Sequence, residues 1–122
     1  MVLEFRLPRV NPHMSKALIE CMYAEPGTTL KAGTKLLDLS VDLGDTFLQD
    51  CPPISFYRIV MRENAVLREL RVGVGQPCAP GELIAVFSGS ASHVVDEPAQ
   101  RSIRFVTAGI VRHGGMWTEN IR

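Results

Sequence analysis

The sequence predicts an all-β domain, a flattened barrel or sandwich of two small antiparallel sheets, and three observations support it. Gly, Pro, Asn and Asp recur at short intervals as turn signals. The runs between them are short and rich in Leu, Ile and Val, which is typical of strands in a barrel or sandwich. One strand–turn pattern also occurs twice, 48 residues apart. Two such units would bury their apolar faces by packing face to face about a pseudo-twofold axis.

The internal repeat has the form strand, glycine turn, short connector, glycine turn, strand. Its first copy covers residues 19–39 and its second covers residues 67–87. Glycine suits the corners because it reaches positive φ without steric cost. The matching positions are Gly27 with Gly75, Gly33 with Gly81, Ile19 with Leu67, Met22 with Leu70, Leu36 with Ile84 and Leu39 with Phe87. We expect the two halves to superpose at this spacing, with the matched apolar side chains in one core.

The strands of the first half follow in chain order. Residues 16–23 have some helical propensity, but Pro26 follows too soon for a convincing helix, so a strand is predicted. Residues 36–44 are predicted to form a strand that runs into a tight turn. Residues 44–55 then lengthen this hairpin or form a loop before the second copy begins.

Beyond residue 88 the composition changes, which divides the chain into a barrel, residues 1–88, and a C-terminal extension, residues 89–122. Residues 88–92 are predicted to be a flexible connector. Residues 102–111 are predicted to form a further strand, broken at Gly109. The apolar residues of the extension are Ile103, Phe105, Ile110, Val111 and Trp117. Because exposed apolar clusters favour association, we expect the extension to pack on the barrel or to join two chains as a homodimer.

The composition argues against several classes of partner. Lys plus Arg and Asp plus Glu both number 13, so there is no net basic charge for binding nucleic acid. No apolar run approaches the roughly 20 residues that span a bilayer, so no membrane partner is expected. The first residues include Glu4 and lack a long apolar core, which is not the pattern of a signal peptide. The expected compartment is the cytoplasm.

The cysteines and histidines do not predict a metal site. Cys21, Cys51 and Cys78 are far apart and form no CxxC pair, and the three histidines are equally scattered. Cys51 precedes two prolines and is the cysteine most expected to be exposed, but no neighbouring cation would activate it. No cofactor is predicted.

Several short motifs occur in an order that resembles a known family. They are Glu4-Phe5-Arg6-Leu7-Pro8, His13-Met14, Ile19-Glu20, Pro26-Gly27, Gly33 and the strand at residues 36–42. Over residues 2–87 their order and spacing resemble the biotinyl/lipoyl carrier domain, particularly lipoyl domains of 2-oxo acid dehydrogenase acyltransferase subunits. The resemblance implies a flattened barrel of two antiparallel sheets, the single hybrid motif. It also implies a cofactor carried on a lysine at the tip of a hairpin.

The attachment lysine of that family is missing from this chain. Counted from Gly33 as in the family, the attachment position falls on Leu43. The flanking hairpin residues are Val41, Asp42 and Gly44. The lysines of the chain are Lys16, Lys31 and Lys35, all of which precede the hairpin. Because leucine offers no nucleophile for an amide link, we predict that the chain carries neither a lipoyl nor a biotinyl group.

An acidic stretch surrounds the same hairpin. Residues 36–57 contain no Lys or Arg, and the aspartates there are Asp38, Asp42, Asp45 and Asp50. One interpretation is a hairpin tip that docks on a basic protein, steered by charge. The other is ordinary solvated turn chemistry, since Asp favours turns. General acid–base catalysis by these carboxylates lacks a supporting His or polar cluster.

These observations predict a non-catalytic protein-binding or assembly module whose attachment lysine has been replaced. The expected partner is a protein, such as a component of an acyl-transfer or dehydrogenase complex. Two alternatives stay open. The first is a working carrier or accessory of an acyl- or carboxyl-transfer system that uses another group or a partner's cofactor. The second is an enzyme with a site between the barrel and the extension.

Overall fold

The computed structural model describes residues 1–10, 12, 14–42, 54–91, 97–110, 112–113 and 116–117, with the backbone alone at 42, 112–113 and 116–117. The described chain is all-β and contains no helix, which confirms the predicted fold class. Its strands are β1 (Val2–Arg6), β2 (Ala17–Met22), β3 (Thr29–Leu30), β4 (Lys35–Asp42), β5 (Ile54–Met61), β6 (Ala65–Leu70), β7 (Pro77–Cys78), β8 (Leu83–Ser88), β9 (Arg101–Ser102), β10 (Phe105–Ile110), β11 (Arg112–His113) and β12 (Met116–Trp117).

The first ten strands form two five-stranded sheets, and β11 pairs with β12. The first sheet has the order β3-β6-β8-β1-β9 and the second has the order β10-β5-β4-β2-β7. The described pairs are antiparallel except for β1 with β9, a parallel pair that the C-terminal extension adds at the edge of the first sheet. The reason is the path of the chain. β8 ends beside Val2 and β9 begins beside Leu3, so the chain crosses β1 and then runs in the same direction as β1.

The internal repeat predicted from the sequence is confirmed in the backbone. The four corner glycines all have positive φ, from 89° to 98°, a conformation that L residues rarely adopt. The turns also make reciprocal hydrogen bonds. The Gly27 N–H donates to the Leu67 carbonyl at 2.7 Å, and the Gly75 N–H donates to the Ile19 carbonyl at 2.8 Å. Each copy therefore fastens its first turn to the first strand of the other copy, as a pseudo-twofold pair requires.

The register of the strands repeats as well. β2 pairs with β4 with a bulge between Ile19 and Cys21, and β6 pairs with β8 with a bulge between Leu67 and Glu69. The short strands are exchanged between the copies, since β3 pairs with β6 and β7 pairs with β2. This exchange gives both sheets strands from both copies.

β1 and β5 occupy corresponding places in the two sheets. β1 pairs with β8, and β5 pairs with β4, the equivalent strand. Val2 lies opposite Ser88, and Phe56 lies opposite Ser40, the equivalent of Ser88. These two strands lie outside the 48-residue spacing, because Val2 and Phe56 are 54 residues apart. The structural repeat is therefore longer than the one visible in the sequence.

Side chains of both sheets contribute to a single hydrophobic core. The four apolar residues expected to share it, Leu36, Leu39, Ile84 and Phe87, are fully buried in one cluster. Phe5 of β1 meets Phe105 of β10 edge to face, with ring centroids 5.0 Å apart and an interplanar angle of 89°. This is a favourable geometry for an aromatic pair, and it packs β10 against the core.

The C-terminal extension supplies the last strand of each sheet. The predicted break at Gly109 is wrong, because Gly109 lies within β10 opposite Tyr57. The interruption falls instead between β9 and β10, where the chain passes from the first sheet to the second and Ile103 is buried in the core. Ser88 is also not part of a flexible connector, since it is the buried last residue of β8.

An ionic clamp fastens the extension to the turn between β5 and β6. The Arg101 guanidinium donates to both carboxylate oxygens of Glu63, at 2.8 Å each. The backbone N–H of Arg104 donates to the same carboxylate at 2.7 Å. These interactions, chiefly the hydrogen bonds from Arg101, lower the pKa of Glu63 to about 2. Glu63 is therefore ionised throughout the neutral range and holds the start of β10 in place.

Candidate functional site

The hairpin predicted to hold the attachment position joins two paired strands of the second sheet. The backbone of Asp42, the last residue of β4, pairs with Ile54, the first residue of β5. Val41 is fully buried in the core. The remaining predicted residues of the hairpin and its loop lie outside the described part of the chain: Leu43, Gly44, Asp45, Asp50 and Cys51. Leu43, the predicted attachment position, directly follows the last residue of β4 in the sequence.

Asp38, one of the aspartates predicted to dock a partner, is buried in an ion pair. It is 4% exposed. Arg58, directly opposite on β5, donates from Nε to Oδ1 at 2.8 Å and from Nη2 to Oδ2 at 3.1 Å. The Tyr23 hydroxyl donates to Oδ2 at 2.5 Å. The charge of Asp38 is therefore compensated and its carboxylate oxygens are occupied within the chain, and its docking role stays a prediction.

The cluster of Tyr23, Asp38 and Arg58 is suited to holding strands together rather than to moving protons. Burial and the hydrogen bond to Asp38 raise the pKa of Tyr23, and the hydrogen bond to Asp38 raises the pKa of Arg58. Lys35 Nζ lies 4.8 Å from the centroid of the Tyr23 ring, a cation–π contact. Tyr23 and Arg58 therefore keep their protons at neutral pH. The sequence did not predict this cluster, because pairing Asp38 with Arg58 requires a register that the loop between them hides.

Exposed and half-buried apolar side chains lie on the outer face of the second sheet, on the side away from the core. Strand pairing aligns Ile110, Phe56, Ser40 and Leu18 across four neighbouring strands. Leu18 is 41% exposed, and Ile54 and Val106 are exposed to a similar degree. We call this surface the open face, and its apolar residues are Leu18, Ile54, Phe56, Val60, Val106 and Ile110. Exposed apolar side chains gathered on one face are a feature of interaction sites.

A shallow pocket of about 270 Å³ lies in the open face where β5 begins. Its lining residues are Lys16, Ala17, Leu18, Ser40, Ile54 and Pro77. The Ser40 hydroxyl donates to the Glu20 carboxylate at 2.7 Å, so this hydroxyl is already engaged. Most of the remaining wall is aliphatic. The pocket can therefore accept an apolar side chain next to the hairpin.

The equivalent apolar positions on the outer face of the first sheet are buried. Val66, the equivalent of Leu18 in the repeat, is 5% exposed, and Val2 and Val86 are also buried although none of the three belongs to the core cluster. Residues of the extension lie against this face. A small cavity there is lined by Glu97, Pro98 and Ala99 together with Val2 and Val86. The Gln100 N–H donates to the Val2 carbonyl at 2.8 Å. We call this surface the covered face.

Metal ligands and cysteines were the other candidates for a chemical site among the described residues. No group of three or more His, Cys, Asp or Glu side chains among them could hold a metal ion. Cys21 and Cys78 are free thiols. Cys78 is buried, and desolvation raises the pKa of its thiol, which keeps it protonated at neutral pH. The described part of the chain also contains no helix that could cross a membrane.

Comparison with known proteins finds no relative of this chain. No protein-family model matches the chain, and neither the curated proteins nor the solved structures include a match. The hairpin, the open face and the covered face are therefore the features that can indicate a function.

Proposed function

We propose that this chain is a non-catalytic lipoyl/biotinyl-like domain that lacks the attachment lysine and acts as a protein-binding or assembly module. In this proposal the two sheets form a flattened barrel of the single hybrid type. Support for that architecture comes from the glycine corners of the two copies and their reciprocal hydrogen bonds. Further support comes from the equivalent bulges in β2 and β6.

The proposal of a module without a carried group depends on the hairpin. Leu43 occupies the position that the family gives to lysine, and no lysine follows Lys35 in the chain. Lys35 itself lies at the start of β4, at the opposite end of the strand from Asp42, with its ammonium over the Tyr23 ring. An amide-linked group on Lys35 would lie far from the hairpin and would disturb this contact.

The observation that carries the binding role is the contrast between the two outer faces. Residues 97–99 of the extension lie beside the buried Val2 and Val86 of the first sheet, whereas Leu18, Ile54 and Val106 of the second sheet are exposed. Asp38 and Arg58 compensate each other's charge, and the exposed apolar side chains of the open face are Leu18, Ile54 and Val106. Asp42, Asp45 and Asp50 remain as proposed docking acids at its hairpin end. A protein with an apolar contact patch and a basic rim fits this surface.

Intact-mass spectrometry tests the missing carrier group. Protein made in a host with active lipoyl and biotinyl ligases is expected to have its unmodified mass, because no lysine stands in the hairpin. A lipoyl- or biotin-sized increment would contradict the proposal and favour a working carrier. The variant L43K sharpens the test, since it places a lysine directly after Asp42. Modification of this variant at position 43 would support the assignment of Leu43, and modification elsewhere would contradict it.

Photo-crosslinking tests the binding role. A photoreactive phenylalanine at Leu18, in the open face, is expected to capture specific proteins in the producing cells. The matched control is the same substitution at Val74, which is 61% exposed but lies in the turn between β6 and β7. If positions 18 and 74 capture the same proteins, or if neither captures any, the open face is not a binding surface.

A further inference from the structure

The two sheets end in edge strands of very different length. β3, β7 and β9 each contain two residues, whereas β10, at the edge of the second sheet, contains six. β10 pairs with β5 on one side and has no partner on its other side among the described residues. A long unpaired edge is a template for another strand, because its backbone groups can continue the sheet.

The backbone groups that face this free edge can be assigned. The Met61 N–H donates to the Thr34 carbonyl and the Met61 carbonyl accepts from the Gly33 N–H, so both groups turn away from β10. Phe105 lies opposite Met61 and therefore turns its own N–H and C=O outward. Since this orientation alternates along an antiparallel strand, the same is true of Thr107 and Gly109. Three N–H donors and three C=O acceptors thus line the free edge.

β10 lacks the features that usually keep an edge strand from pairing. Natural edges are protected by charged side chains, by proline or by a short length. The sequence of β10 is Phe-Val-Thr-Ala-Gly-Ile, which contains neither a charge nor a proline. Four of its six residues, Val106 to Gly109, are exposed. Nothing on this strand opposes the approach of a second strand.

We propose that the free edge of β10 pairs with β10 of a second copy of this chain, in antiparallel orientation about a twofold axis at Thr107. This register places Phe105 opposite Gly109 of the other copy and Thr107 opposite itself, which satisfies the outward N–H and C=O groups of all three residues. Val106 lies beside Ala108 of the other copy on the outer face. Identical uncharged strands meet without like-charge repulsion, and a twofold interface closes on itself. The inference deepens the proposed assembly role by naming a partner.

The consequence is a continuous ten-stranded sheet that crosses the dimer, built from the second sheet of each copy. The two open faces then join, with Val106 and Ile110 of both copies near the centre of the combined surface. The closed first sheets lie away from the junction. The dimer would therefore present one larger apolar surface to a third protein.

Sedimentation equilibrium at micromolar concentration tests the dimer. The wild type is expected to show twice the 13.5 kDa mass of one chain. The variant T107K places two lysines opposite one another at the axis and is expected to halve that mass. The matched control V74K adds the same charge in the turn between β6 and β7 and should remain dimeric. A monomeric wild type, or a dimeric T107K, overturns the inference.

Amide hydrogen exchange tests the edge itself. In the wild-type dimer the N–H groups of Phe105, Thr107 and Gly109 are expected to be protected, and in T107K this protection is lost while the amides of β4 keep theirs. T107P provides a second route, because the Thr107 N–H is not used in the ladder with β5 and its removal should leave the fold intact. A dimer in which these three amides exchange freely would use another surface and would overturn the proposed pairing. Either failure leaves the mass-spectrometry test of the carrier group unaffected.

Discussion

The two sheets of this protein share their strand pairing and their bulges, but the side chains on their outer faces differ in burial. Asp38 in β4 and Val86 in β8 are equivalent residues, each opposite a bulged strand. Val86 lies beneath residues 97–99 and needs no polar partner. Asp38 is buried instead between Arg58, which compensates its charge, and Tyr23, whose hydroxyl donates a hydrogen bond to it. The repeat therefore determines the backbone position of a residue. The path of the extension determines whether an apolar or a charged side chain is suited to that position.

The same contrast holds for the neighbouring positions. Val66 and Leu18 are equivalent, yet only Leu18 of this pair is exposed. Val2 and Phe56 are equivalent, and again the member in the first sheet is the buried one. The two copies thus have equivalent backbones but outer faces that differ in exposure, and the extension lies on the less exposed one.

The largest expected effect tests the shared core, where the two copies should not differ. Leu36 and Ile84 are equivalent and fully buried. We expect L36A and I84A each to lower the free energy of unfolding by about 2–5 kcal/mol, because each leaves a cavity in a packed core. Chemical denaturation measures both values, with V74A as an exposed control that should change stability little. A large loss from one variant and almost none from the other would show that the two halves do not share the core equally.

The second largest effect is expected at Asp38, the buried acid on the outer side of the second sheet. We expect D38N to cost about 3 kcal/mol, because it leaves the guanidinium of Arg58 without its compensating charge. The double variant D38V/R58L places a valine at position 38, as at the equivalent Val86, and also removes the guanidinium that D38N leaves uncompensated. Chemical denaturation should therefore show the double variant to be more stable than D38N. If the double variant is the less stable of the two, the cluster contributes more than mutual compensation of charge.

The smallest effect tests the clamp that holds the extension. The pKa of Glu63 is about 2 in the folded chain, below its ordinary value of 4.5. A lowered pKa stabilises the fold at pH values above the unfolded pKa, and this contribution is lost as pH falls toward 2. We therefore expect E63Q to lower the thermal midpoint by a few degrees at pH 7 and by progressively less between pH 5 and pH 2. A difference between wild type and E63Q that is independent of pH would contradict a role for the charge of Glu63.

The sequence predicts the turns and strands, whose signals are local. It does not predict contacts that depend on the register between strands far apart in the chain. The glycine corners, β2 and β4 follow from turn chemistry and short apolar runs, because these signals lie within each segment. The pairing of Asp38 with Arg58 does not follow, since it depends on the register across residues 43–53. The covered face is missed for a similar reason. A Ser- and Gly-rich stretch after β8 indicates a connector but does not indicate which sheet the following residues cross.

Hydroxyl-radical footprinting measures the contrast between the two faces most directly. Labelling of each side chain in the folded chain is normalised to labelling of the unfolded chain, which removes differences in intrinsic reactivity. We expect Leu18 and Phe56 to be labelled well above their equivalents Val66 and Val2, in wild type and in the T107K variant alike. Equal protection of the two members of each pair would mean that the second sheet is covered as the first is, and would contradict an open binding face.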